Sequence, residues 1–96
     1  MLFRSAEVRV LDVRQPEEWD DRLGRIAGAQ LIPLDQLKAR AGEIPRDRPV
    51  VAVCHAGMRS GQATVILRQA GFTQVANLRG GMLLWQQLGL PVEKTA

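Results

Sequence analysis

The chain has a single cysteine, no tyrosine, and only two phenylalanines and two tryptophans among its 96 residues. One cysteine cannot make an internal disulfide, which points to a reducing compartment or to a thiol kept free for chemistry. So few aromatic rings leave nothing for nucleobases to stack on. The arginines are scattered and form no basic run, so a nucleic-acid platform is excluded. No apolar run approaches the ~20 residues of a membrane span, and no signal-peptide core opens the chain. A cytoplasmic protein without membrane contact is expected.

What is present is ordinary for a globular chain: 46% apolar and 24% charged residues. This length suits one small domain, 1–96, with a single core that needs neither disulfide nor metal. The net charge of +3 fits a small anionic substrate better than a polyanion, although most of these charges simply solubilise the surface.

One stretch organises the rest. Residues 50–53 are Val-Val-Ala-Val, and the lone Cys54 follows, then His55, Ala56, Gly57, Met58, Arg59 and Ser60. The apolar run without polar alternation predicts a strand buried on both faces of a parallel sheet. Helical periodicity resumes after the loop, over 59–70, with Ala63, Ile66, Leu67 and Ala70 as the apolar face and Gly71 as the stop. A strand feeding a loop that opens onto a helix N-terminus presents backbone N–H groups and about half a positive charge. Free cysteine titrates near pH ~8.5, and such a site with a nearby arginine can lower this to roughly 3.5–7.5. A purely structural cysteine is the bland reading, but strand ends of open α/β sheets are where ligands bind. The residues predict a reactive thiolate in an anion cradle.

The remaining chain alternates strands and helices. Strands are predicted over 8–13, 30–32 and 74–78. A short helix follows Gln15 and Pro16, a second runs over 35–41 before Gly42, and a third over 82–88 before Gly89 and Pro91. Residues 23–29 read as a glycine-punctuated loop and 44–49 as a polar turn. Short connections between alternating elements imply an α/β domain, a mostly parallel central sheet with helices on both faces.

The loop from Cys54 to Ser60 resembles the rhodanese active-site loop, Cys-x-x-Gly-x-Arg-Ser. Leu11-Asp12-Val13-Arg14-Gln15-Pro16-Glu17-Glu18-Trp19 is similar to that family's first signature. Gly24-Arg25-Ile26-Ala27-Gly28-Ala29, followed by Ile32-Pro33-Leu34, is similar to its Gly-His-Ile-x-Gly-Ala…Ile-Pro stretch. Leu78-Arg79-Gly80-Gly81-Met82, Trp85 and Gly89-Leu90-Pro91-Val92 are similar to its closing segment. Four motifs in order, over about residues 8–92, are more specific than any one of them. Arg25 departs from the family's His, and the segment before the first strand is shorter than usual.

The resemblance implies a rhodanese-like fold and sulfurtransferase chemistry through a Cys54 persulfide. Sulfur would pass from a small anionic donor such as thiosulfate to a thiol or protein acceptor, cyanide serving in vitro, with no metal and no organic cofactor. Cys54 is then the nucleophile, His55 to Ser60 supply the N–H cradle, Gly57 permits the turn, and Arg59 offers a fork for a sulfonate. His55 is set aside as a base, since adjacent residues on a curled loop point apart. Asp12 and Arg14 could line the site but suit a buried ion pair or loop cap, with Arg14 expected on Glu17 or Glu18. Arg79 could add positive field or be merely solvated. Gly80 and Gly81 fit tight backbone packing, and Trp19 and Trp85 fit the core.

Two competitors share part of the signal. Related-fold cysteine phosphatases and arsenate reductases carry Cys-x5-Arg, whereas Cys54 and Arg59 enclose four residues; one residue is up to ~3.3–3.6 Å of chain. A non-catalytic member of the family would be expected to lose the cysteine that this chain keeps.

Overall fold

Among the described residues, four strands, β1 (Arg9–Asp12), β2 (Gln30–Leu31), β3 (Val50–Val53) and β4 (Val75–Asn77), pair in the order β2-β1-β3-β4, every pair parallel. Three helices, α1 (Leu34–Arg40), α2 (Met58–Gln69) and α3 (Gly81–Gln87), link or follow them. The computed structural model describes residues 7–94. The short leading segment, 1–6, lies outside the described residues.

The alternation of β3 builds both halves of the core. Successive side chains of a strand point to opposite faces. Val50 and Ala52 therefore join Leu37 of α1 and Ala63 and Leu67 of α2, while Val51 and Val53 join Met82 and Trp85 of α3. All four β3 residues are buried, as a strand covered on both faces requires. This is the expected α/β arrangement. The helices differ from expectation in detail. Residues 16–20 form a 3-10 turn instead of a short α-helix, and Ala70, which α2 ends before, is exposed.

The register places the functional edge. Asp12 pairs with Val53, and Ala52 with Asn77, so β1, β3 and β4 finish side by side. From β1 the chain runs to β2 on one side and later to β3 on the other. The gap between β1 and β3 is therefore the switch point, where open sheets leave a crevice at their carboxyl ends.

Just beyond β1, Arg14 (0% exposed) forms a fork-like ion pair with Asp12 (1% exposed), with nitrogen–oxygen distances of 2.7 and 3.0 Å. The expected partner, the side chain of Glu17 or Glu18, is displaced. Asp12 lies two residues back across a bend, where its carboxylate also accepts the Arg14 backbone N–H at 3.1 Å, and needs no loop to reach Arg14. Arg14 also donates to the carbonyls of Gly24 at 2.8 Å and Glu18 at 3.2 Å, and the Trp19 indole donates to Asp12 at 2.9 Å. Trp19 is thus a half-buried hydrogen-bond donor and not a plain core ring. Arg25, in place of an imidazole, stacks over Trp19 at 4.9 Å.

Removing one partner of a buried pair leaves an uncompensated charge. Asp12→Ala is expected to destabilise the fold by about 3–5 kcal/mol, measured by urea denaturation.

Candidate active site

β3 delivers Cys54 to the carboxyl edge, and three residues later Gly57 caps α2 with φ of 112°. That left-handed conformation suits glycine, and an added Cβ would stand 3.3 Å from the Gly80 nitrogen. From the cap, the Gly57 N–H donates to Cys54 Sγ at 3.0 Å, and the Ser60 hydroxyl lies 3.3 Å from the same sulfur. Cys54 is 1% exposed, so the sulfur sits at the floor of the loop and not at its mouth. Burial pushes the thiol pKa up. The Ser60 hydroxyl, with the N–H groups of Ser60, Gly57 and Ala56, outweighs it and holds the pKa below the ordinary thiol value.

These N–H groups can face inward because the loop's carbonyls are held elsewhere. The first turn of a helix carries N–H donors with no partner inside the helix. In α3, Met82 and Leu83 give theirs to the carbonyls of Cys54 and His55, both at 2.9 Å. This requires backbone-to-backbone approach. Gly81, at φ of 56°, is the residue in contact, and a Cβ there would overlap both carbonyl oxygens. The tight packing expected of the Gly80-Gly81 pair is thus contact with the cysteine loop itself.

A third strand braces the same loop. Ser60 donates its hydroxyl proton to Asn77 Oδ1, and Asn77 Nδ2 donates to the Gly57 carbonyl at 3.1 Å. Ser60 has one proton, so Asn77 and the sulfur compete for it. Sequence inspection passes over Asn77. Its signal is a polar residue closing a strand beside the one that carries the cysteine.

Arg59, in the first turn of α2, points back toward β1. Its two terminal nitrogens meet the two carboxylate oxygens of Glu18, each at 2.8 Å. Glu18 also accepts the Gln15 N–H at 2.7 Å, and the hydrogen bond from Arg59 holds its carboxyl below the ordinary carboxylate pKa. Glu18 is expected from the sequence to pair with Arg14, whose guanidinium instead reaches the Glu18 backbone carbonyl.

The other candidate residues divide. Ala56 and Met58 are exposed on the loop, Met58 at 82%. His55 is engaged through its carbonyl, and no hydrogen bond joins its imidazole to the sulfur among the described residues. Asp12 and Arg14 form the buried pair beneath the Glu18 turn. Arg79 is exposed on the turn that carries Gly80 against Gly57.

Two substitutions test the brace on the sulfur, read by the pH dependence of iodoacetamide alkylation. The wild-type half-point is expected below the ~8.5 of a free thiol. Gly81→Ala should move it upward, because displaced carbonyls turn the N–H groups away. Asn77→Asp keeps an acceptor for Ser60 but adds a negative charge and loses the donor to Gly57. It should raise the half-point by about one unit, or ~1.4 kcal/mol. No shift in either variant would separate the brace from the thiol.

The family model for the rhodanese-like domain matches residues 1–88. A protein of Allochromatium vinosum named sulfurtransferase is 42% identical over 91 residues, covering 95% of this chain and 83% of its own length. YqhL of Bacillus subtilis, an uncharacterised protein, is 45% identical over 83 residues, which cover 86% of this chain. The matched part is only 63% of YqhL, less than two thirds of its length. Among solved structures, a rhodanese-related protein from Thermoplasma volcanium superposes with a TM-score of 0.86 at 32% identity, covering 94% of this chain and 87% of that one. With the parallel sheet, the cysteine at its carboxyl edge and the four ordered motifs, these matches make the chain a member of the rhodanese-like domain family.

Proposed function

We propose that the chain is a sulfurtransferase that carries a sulfane sulfur on Cys54. The ring of N–H donors around a buried sulfur carries this reading, because it favours the thiolate that must attack and can then hold a persulfide anion. With thiosulfate as donor, the Cys54 thiolate attacks the outer sulfur. The new Sγ–S bond forms as the bond to the sulfonate sulfur breaks, and sulfite leaves with the electron pair. An acceptor (cyanide in an assay, otherwise a thiol or a protein thiol) then takes the terminal sulfur and restores the thiolate. This is covalent, two-stage catalysis. It needs no metal or organic cofactor. The backbone from His55 to Ser60 forms the substrate loop.

A cysteine phosphatase would need its donors to surround a tetrahedral oxyanion. Here Gly57 N–H rests on the sulfur itself, and only four residues separate Cys54 from Arg59, which supports the sulfur reading. The retained Cys54, Gly57, Arg59 and Ser60 argue against a non-catalytic module. The same reading places the protein in the cytoplasm, where a lone thiol stays reduced. None of the described helices is long and apolar enough to cross a membrane.

Intact mass after incubation with thiosulfate should show one added sulfur on the wild type and none on Cys54→Ser, which should also lack thiosulfate:cyanide transfer. Near-wild-type turnover by Cys54→Ser would overturn the assignment. Aryl-phosphate hydrolysis matching sulfur transfer in the wild type would favour the phosphatase instead.

A further inference from the structure

A thiosulfate donor brings a sulfonate to the rim of the loop, and a persulfide donor does not. Arg59, the second residue of α2, is a cation close enough to Cys54 to feel its charge. Its two terminal nitrogens already hold Glu18, one on each oxygen, in the two-point geometry that a sulfonate would use. Glu18 is not a loose surface acid that a ligand displaces at no cost. Its turn is anchored from below by Arg14, which donates to the Glu18 carbonyl, and its carboxylate is held from behind by the Gln15 N–H. Arg59 and Glu18 side chains are 33% and 27% exposed, so the pair is reachable from solvent.

We propose that Glu18 is a specificity-determining residue: by occupying Arg59 it withholds the cation that a sulfonate requires and biases the site toward persulfide donors. The proposal rests on the sulfurtransferase reading and names its donor class. With a hydropersulfide, the Cys54 thiolate attacks the outer sulfur of R–S–S–H. The bond from Sγ to that sulfur forms, the R–S bond breaks, and the thiolate R–S⁻ leaves with the electron pair. The proton stays on the transferred sulfur or passes to solvent. Nothing in this step asks for an oxyanion anchor, and the leaving thiolate carries one negative charge where sulfite carries two.

The test compares single-turnover loading of Cys54, followed by intact mass, from thiosulfate and from the hydropersulfide of 2-mercaptoethanol. The readout is the ratio of the two rates. Intrinsic donor reactivity cancels between variants, as does any change in thiolate population. Glu18→Gln keeps an oxygen for the Gln15 N–H while placing an amide before Arg59. It should raise the thiosulfate-to-hydropersulfide ratio about tenfold, the scale of one hydrogen bond to a charged group. Arg59→Ala alone should not raise the ratio, and in the Glu18→Gln background it should abolish the gain. Methanesulfonate, a sulfonate with no sulfur to transfer, should slow loading of Glu18→Gln and not of the wild type. An unchanged or lower ratio in Glu18→Gln, or protection of the wild type by methanesulfonate, would overturn the proposal. The methanesulfonate experiment on the wild type decides the matter even where the variants do not fold. No loading from either donor would instead overturn the sulfurtransferase reading.

Discussion

The site depends on what holds the two carbonyls of Cys54 and His55. A loop that aims several N–H groups at one buried sulfur must aim its carbonyls away from it, into protein, where unpaired oxygens are costly. The first turn of α3 has donors with no partner of its own and sits directly behind the loop. Each element thus satisfies the other. The helix start is capped by the cysteine loop, and the loop is held open toward the sulfur by the helix start. Gly81 is the point of contact, and Gly57 makes the complementary close approach to Gly80 on the other side.

Charge is arranged around this core as a relay of fixed pairs. Asp12 neutralises Arg14 in the interior, Arg14 fixes the backbone of the turn at Glu18, and Glu18 takes Arg59 at the rim. No step spans more than a single hydrogen bond. The strand end remote from the cysteine in sequence is thus linked, contact by contact, to the acid that pairs with Arg59. At the sulfur the anion is favoured by the Ser60 hydroxyl and by the backbone N–H groups of Ser60, Gly57 and Ala56, none of which carries a counter-ion.

Much of this was legible beforehand, for physical reasons. β3 shows as an unbroken apolar run because both its faces are covered, and the turn after it shows because glycine punctuates it. The site's dependence on Glu18 and Asn77 was not legible. Glu18 lies 41 residues from Arg59, and Asn77 lies 17 from Ser60, so only strand register brings them together. Arg14 shows a different failure. Acids three and four residues ahead draw attention as helix neighbours, but the chain bends at Arg14 and Asp12, two residues back, takes both its guanidinium and its backbone N–H. Ala70 shows how apolar periodicity can run one residue past the last turn that packs.

The depth of Cys54 also bears on which sulfur of a persulfide could react. An incoming thiol that struck Sγ would expel the terminal sulfur as hydrosulfide and leave a mixed disulfide on the protein. A thiol that struck the terminal sulfur would carry it away and return the enzyme to its starting state. With Cys54 1% exposed beneath a ring of backbone, a persulfide would present only its outer atom to solvent. Regiochemistry then follows from burial alone, without any group that recognises the acceptor.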